Sequence, residues 1–204
     1  ETKGEAIYPT PIIGMVGLLN DVNEHCTISF KDDGDLVFLL GNFLPPSDDR
    51  NSLGGSEYLE LVHGLVKGKL IIDLDLERRA QRCCLEAIKS GVIKSAHDCS
   101  DGGLAVAIAE SCITGNIGFK GQKIQIQDSR LDSILFGEHQ SRIVVSIAHS
   151  SVVKLTKIAR KWQVPLTFLG KVEEKYLVIE GYIDLPLAKV KKAWCGGLSR
   201  LLQG

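Results

Sequence analysis

The densest chemical signal in the chain is Ser95-Ala96-His97-Asp98-Cys99-Ser100-Asp101-Gly102-Gly103-Leu104. It lies where a strand pattern gives way to an apolar helix pattern. Gly102 and Gly103 let a ligand approach the backbone, and the unpaired N–H groups of a helix's first turn favour an anion. Ser100 adds a hydroxyl donor. Asp98 and Asp101 repel a bare phosphate, so carboxylates beside it make sense when Mg²⁺ lies between them. The same residues also suit a capped strand-to-helix turn with Asp101 or Ser100 as the N-cap, and residue types alone do not separate the two readings. A second cluster, Leu135-Phe136-Gly137-Glu138-His139-Gln140-Ser141-Arg142, runs straight into the apolar segment Arg142 to Ala148. Its polar residues could line a sheet-end pocket or form a solvated edge. His139 has no carboxylate positioned for it by the sequence and reads as a surface histidine.

Other chemistries lack their signatures. No G-x-x-x-x-G-K-[ST], G-x-G-x-x-G or G-x-S-x-G occurs, which argues against Walker-type, Rossmann-type and serine-hydrolase sites. Cys26, Cys83, Cys84, Cys99, Cys112 and Cys195 form no C-x-x-C pair, so they read as reduced thiols of a cytoplasmic protein rather than bridges or zinc ligands. With 24 Lys and Arg against 25 Asp and Glu, the net charge is −1, and nothing draws the chain onto nucleic acid or an anionic membrane. No apolar run approaches the ~20 residues needed to span a bilayer. Residues 1–10 show no basic-then-apolar leader pattern. With Glu1 first and Met15 as its sole methionine, the chain reads as a fragment of a longer gene product.

The elements that must position these clusters follow from periodicity. Strands are expected at Ile12–Leu19, Val37–Leu40, Ser95–Asp98, Arg142–Ala148, Leu166–Val172 and Tyr176–Tyr182. Residues 44–55 read as a loop, with Ser56 capping a short helix. Leu76, Ala80, Cys83, Cys84, Ala87 and Ile88 make the apolar face of a helix that Asp75 can cap and Gly91 can stop. Leu104–Ile113 is a helix apolar enough to be buried on most sides. Ser150 or Ser151 caps a helix through Trp162, with Val152, Leu155, Ala159 and Trp162 facing the core. A last helix runs through Val190, Trp194, Leu198 and Leu201, with a break at Gly196-Gly197. Strands and helices at irregular spacing predict an α+β fold, a mixed sheet covered by helices.

The motifs together resemble the phosphoribosylformylglycinamidine synthase family. Residues Ala6 to Gly17 (AIYPTPIIGMVG) look like the link between the two parts of the second half of its synthetase. Leu53 to Leu59 (LGGSEYL), His97 to Leu104 and Phe136 to Arg142 match the same family in the same order. The resemblance implies an ATP-dependent ligase of purine biosynthesis that converts formylglycinamide ribonucleotide with ammonia from a glutaminase subunit or domain. It also implies two tandem copies of an aminoimidazole-ribonucleotide-synthetase-like unit, of which this chain is the last C-terminal part. Residues 1–24 are then a trailing segment and linker from a missing ATP-binding domain, and 25–204 the C-terminal α+β domain. By the same resemblance Asp98 ligates Mg²⁺ in the second-copy site, where ATP or ADP binds. Ser100 touches the nucleotide; Gly102 and Gly103 join that nucleotide-binding set on the residue reading alone, as amides for phosphate oxygens. Glu138 and Gln140 fall in a substrate-like pocket, with His139 where the first copy's binding stretch has serine. No catalytic residue is expected here, and the isolated chain is expected to be inactive. A purely structural nucleotide brace is the alternative. So is an ATP-using relative of the selenophosphate, thiamine-phosphate or hydrogenase-maturation type, against which the Leu53 and Gly137 motifs weigh.

Overall fold

The computed structural model describes residues 12–44, 53–69, 71–124 and 130–197. Its centre is the strand Leu36–Leu40 (β1), apolar and buried at every position. Side chains alternate across a strand, so Val37 and Leu39 enter one core while Leu36, Phe38 and Leu40 enter another. Both faces of the sheet are therefore covered, which is why the run is continuous rather than alternating. β1 pairs antiparallel with Ile143–Ile147 (β4) on one side and Leu166–Glu173 (β5) on the other. Beyond β4 lies Ile93–Asp98 (β2); beyond β5 lie Gly118–Gly121 (β3), Tyr176–Ile179 (β6) and Ile183–Pro186 (β7). The order is β2-β4-β1-β5-β3-β6-β7, with β3 and β6 parallel and the other pairs antiparallel. The expected mixed sheet is present.

On one face lies Gly103–Gly115 (α3), which packs against Leu131–Phe136 (α4) and Leu187–Cys195 (α6) as well as the sheet. Contacts on several sides account for its apolar sequence and for burial of Leu104, Ile108 and Cys112. The other face carries Leu74–Lys89 (α2) and Val152–Lys161 (α5), with Ala80, Cys83, Cys84 and Ala87 meeting Leu155 and Ala159. The six cysteines are free, and burial pushes the Cys84 and Cys112 thiols up to about 12. Among the described residues, no helix is long and apolar enough to cross a membrane.

The expected local signals hold at several ends and fail at others. Ser56 caps Glu57–His63 (α1), its side chain accepting from the Leu59 N–H. α2 is capped by Asp73, not Asp75; the Asp73 carboxylate accepts from the N–H groups of Asp75 and Leu76. Asp75 sits two residues too late, its own N–H being one of those that need a partner. The helix closes at Gly91 (φ 64), with Gly91 N–H on the Ile88 carbonyl and Val92 N–H on that of Ala87. Ser151 holds the N-cap position of α5 without a side-chain bond. Ile12–Leu19 is not a strand: Ile12, Met15, Val16 and Leu18 are all more than nine-tenths exposed. A strand needs an edge to join, and at β2 Thr27 already bridges to Ser95. Of the expected strand Tyr176–Tyr182 only Tyr176–Ile179 (β6) forms: Gly181 (φ 84) turns the chain, and β7, which was not expected, follows at Ile183–Pro186. The glycine-flanked β3 and the short α4 carry too little periodicity to be read in advance. α6 ends at the Gly196 cap, where the break was expected; Leu198 and Leu201, and most of the 44–55 loop, lie outside the described residues.

Candidate functional site

The two polar clusters, distant in sequence, meet because of one strand pairing. β2 ends at Asp98, and its antiparallel partner β4 begins at Ile143, directly opposite. Cys99 N–H continues the ladder to the Arg142 carbonyl at 2.9 Å. The 98–103 turn and the 137–142 loop therefore lie side by side. Their approach is close enough that a Cβ on Gly103 (φ +68) would fall 2.5 Å from the Gly137 carbonyl oxygen. Between them opens a cleft of about 500 Å³ lined by Asp98, Ser100, Asp101, Glu138, Gln140 and Arg142, with Glu77 and Gln81 of α2 on the far wall.

Like Asp101, Asp98 is exposed, its side chain at 74%. Its Oδ2 accepts from the Ser100 hydroxyl, and that bond above all holds the carboxyl below the usual range; the nearby His97 acts in the same direction. His97 lies 3.5 Å from Asp98 through Nδ1, an atom with no hydrogen bond, and 2.8 Å from Glu110 Oε2 through Nε2. The Ser100 hydroxyl is thus spent on Asp98 and does not cap α3. Nor does Asp101. The N-cap is Gly102 (φ 78), without a side-chain bond of its own. The acceptor comes instead from the second cluster: Glu138 Oε1 takes the Gly102 N–H at 2.8 Å and the Glu57 N–H of α1 at 2.9 Å. The Gly103 N–H goes to the Ser100 carbonyl at 2.9 Å. Both glycine amides are engaged within the chain.

Arg142 is buried at 3% exposure, not at a solvated edge. Its guanidinium donates to the carbonyls of Ile134, Gly137 and His139, which shapes the loop carrying Glu138. His139 is not a surface histidine. Its Nε2 is buried without a partner, and burial, with the Arg142 charge beside it, pushes its pKa down to about 4. Gln140 stands exposed at the cleft. Four carboxylates (Glu77, Asp98, Asp101 and Glu138) outnumber the single guanidinium, so the cleft favours a cation or a cation-bridged anion over a bare phosphate. Among the described residues no group of three His, Cys, Asp or Glu side chains could hold a metal. One exposed, ionised carboxylate suits Mg²⁺ that arrives with phosphate oxygens and waters of its own. Glu77 was invisible to sequence reasoning because it sits on the polar face of an amphipathic helix; here it accepts from the Ser141 hydroxyl at 2.7 Å. A second cavity of about 270 Å³ has an apolar floor of Leu104, Ile108, Phe119 and Leu169 and a polar rim of Gln122, Lys123 and Thr167, with no carboxylate in its lining.

A seven-stranded mixed sheet with helices on both faces defines an α+β domain, with an acidic cleft at a glycine-rich strand-to-helix turn as its candidate site. The family model for AIR synthase related protein, C-terminal domain, matches residues 32–180, and the chain belongs to that family. It is similar to phosphoribosylformylglycinamidine synthase subunit PurL of Caldanaerobacter subterraneus subsp. tengcongensis, 44% identical over 96% of this chain and 26% of that protein. The subunit from Thermomicrobium roseum is 42% identical over 97% of this chain and 26% of its own length. The chain thus spans about a quarter of the length of the curated relatives it matches. Among solved structures, Thermotoga maritima PurL complexed with FGAR superposes with a TM-score of 0.69 at 18% identity, over 83% of this chain and 30% of that one. The same protein complexed with ATP gives 0.64 at 17% identity, over 83% and 28%. At such identities the likeness concerns the fold.

Proposed function

We propose that the chain is the C-terminal domain of the second synthetase-like copy in a phosphoribosylformylglycinamidine synthase. The intact enzyme would be an ATP-dependent ligase of the cytoplasm that makes formylglycinamidine ribonucleotide with ammonia from a glutaminase partner. The observation that carries this reading is the acidic cleft in which Asp98, Ser100, Glu138 and Gln140 converge, in a chain 44% identical to a PurL subunit. Residues 1–24 are assigned to the linker from the preceding domain and 25–204 to the domain itself. Asp98 would hold Mg²⁺ and the Ser100–Gly103 turn the phosphates of ATP or ADP, while adenine and ribose contacts come from outside this chain. Bound there, Mg²⁺ would neutralise phosphate charge beside four carboxylates. Glu138 and Gln140 form the substrate-like wall.

The test is made in the full-length synthetase. Asp98→Asn is expected to weaken Mg·ADP binding at least about tenfold, as loss of a charged metal ligand should. Unchanged affinity would remove Asp98 from the site. A brace that keeps nucleotide without turning it over is the second reading. It is favoured by Glu138, whose Oε1 is committed to two backbone amides, and by His139 in place of serine. If turnover of formylglycinamide ribonucleotide with ammonia survives loss of this nucleotide, the brace is correct.

A further inference from the structure

Residues 53–68 form a closed loop around α1. At its base two glycines touch: a Cβ on Gly68 (φ +125) would lie 2.3 Å from the Gly54 Cα. Gly55 N–H donates to the Lys67 carbonyl at 2.9 Å, and Leu65 N–H to that of Leu59 at 3.3 Å. Compact loops with adjoining ends open and close as units. α1 itself buries no residue, and Leu61 and Val66 stand at 79% and 75% exposure. The foot of the loop, at Leu53 and the cap Ser56, is buried, and among the described residues two ties reach α1 itself, both from the 136–138 stretch. The Tyr58 ring stacks on Phe136 at 4.9 Å and 11°. Glu138 Oε1 accepts from Glu57 N–H, and the same oxygen accepts from Gly102 N–H at the head of α3.

We propose that Glu138 is a latch, a positioning residue whose single oxygen couples the 53–68 loop to the turn at the cleft. A ligand oxygen that claims the Gly102 N–H must displace the atom that holds α1. Release of α1 in turn frees Glu138 toward the cleft. That the claimant is a nucleotide phosphate rests on the proposed function; the latch does not.

Amide hydrogen exchange on the chain, read residue by residue by NMR, tests it without any ligand. In the wild type, Gly55, Gly64 and Leu65 are expected to exchange together, faster than α2. Glu138→Ala should speed that whole unit about tenfold, the scale expected for losing charge-assisted hydrogen bonds, and leave α2 and β4 unchanged. Glu138→Gln keeps an acceptor oxygen and should restore most of the protection. If only Glu57 and Gly102 speed up while Gly55 and Leu65 hold, the contact is local and there is no latch. Equal acceleration through α2 would mean general destabilisation and would also overturn the proposal. Neither result would bear on nucleotide binding, which the Asp98→Asn titration measures separately.

Discussion

His139 shows how far a side chain's behaviour depends on surroundings that its neighbours in sequence do not announce. Its carbonyl and Arg142 Nε join at 3.3 Å, and the guanidinium this brings near helps to keep the half-buried ring neutral. Folded, His139 takes up a proton at about 4, against an ordinary value of 6.5. Between those values the unfolded chain binds more protons than the folded one, so acid favours unfolding. The contribution is full above about pH 6.5 and is lost as the pH falls toward 4. With allowance for partial exposure it is worth about 1–2 kcal/mol. His139→Phe should flatten the decline in urea-unfolding free energy between pH 7.5 and 5; a variant with the wild-type slope would place the effect elsewhere. Asp98 is shifted in the same direction, so acid costs stability through it as well, but the form that the fold favours is the charged one. Its lowered pKa keeps it ionised through the usual carboxylate range, as the Mg²⁺ role proposed for it requires.

Among the elements, α2 separates two aspartates, with one residue between them, that a sequence scan treats alike. Asp73 accepts two first-turn N–H groups, while Asp75 pairs with Arg78 in solvent at 3.0 Å. Removing the cap by Asp73→Ala should cost about 1 kcal/mol, and Asp75→Ala no more than a few tenths. Chemical denaturation of both variants reads the difference; equal losses would move the cap. Helix α3 makes a related point. It starts without a side-chain cap of its own because Glu138 reaches in from another loop, so its stability depends on a residue far along the chain.

At the scale of the whole molecule, the described part of the segment before residue 25 adds almost nothing to the core. Residues 12–23 are exposed, and the Glu24–Lys89 pair at 3.8 Å is a half-exposed ion pair of small worth. Deleting residues 1–24 should shift the melting temperature by less than about 3 °C. A large loss would make that segment part of the domain. The cleft offers one exposed, ionised carboxylate for the proposed Mg²⁺ and a turn whose glycine amides are already engaged, so the chain alone should bind Mg·ADP weakly, as calorimetry would register. Tight binding would show that the site is complete within these residues. Much of this was legible in the sequence. Periodicity placed the core strands and the four longest helices, since burial of an apolar face imposes its spacing locally, and the polar turn at 98–103 stood out by composition. Local patterns cannot encode register. The pairing of Asp98 with Ile143 brought the two clusters together, placed Glu77 at the cleft and sank Arg142 and His139. It also turned Glu138 from a wall residue into the shared acceptor of two helix ends, because hydrogen bonding and desolvation depend on which backbone atoms lie within 3 Å, and only the tertiary structure decides that.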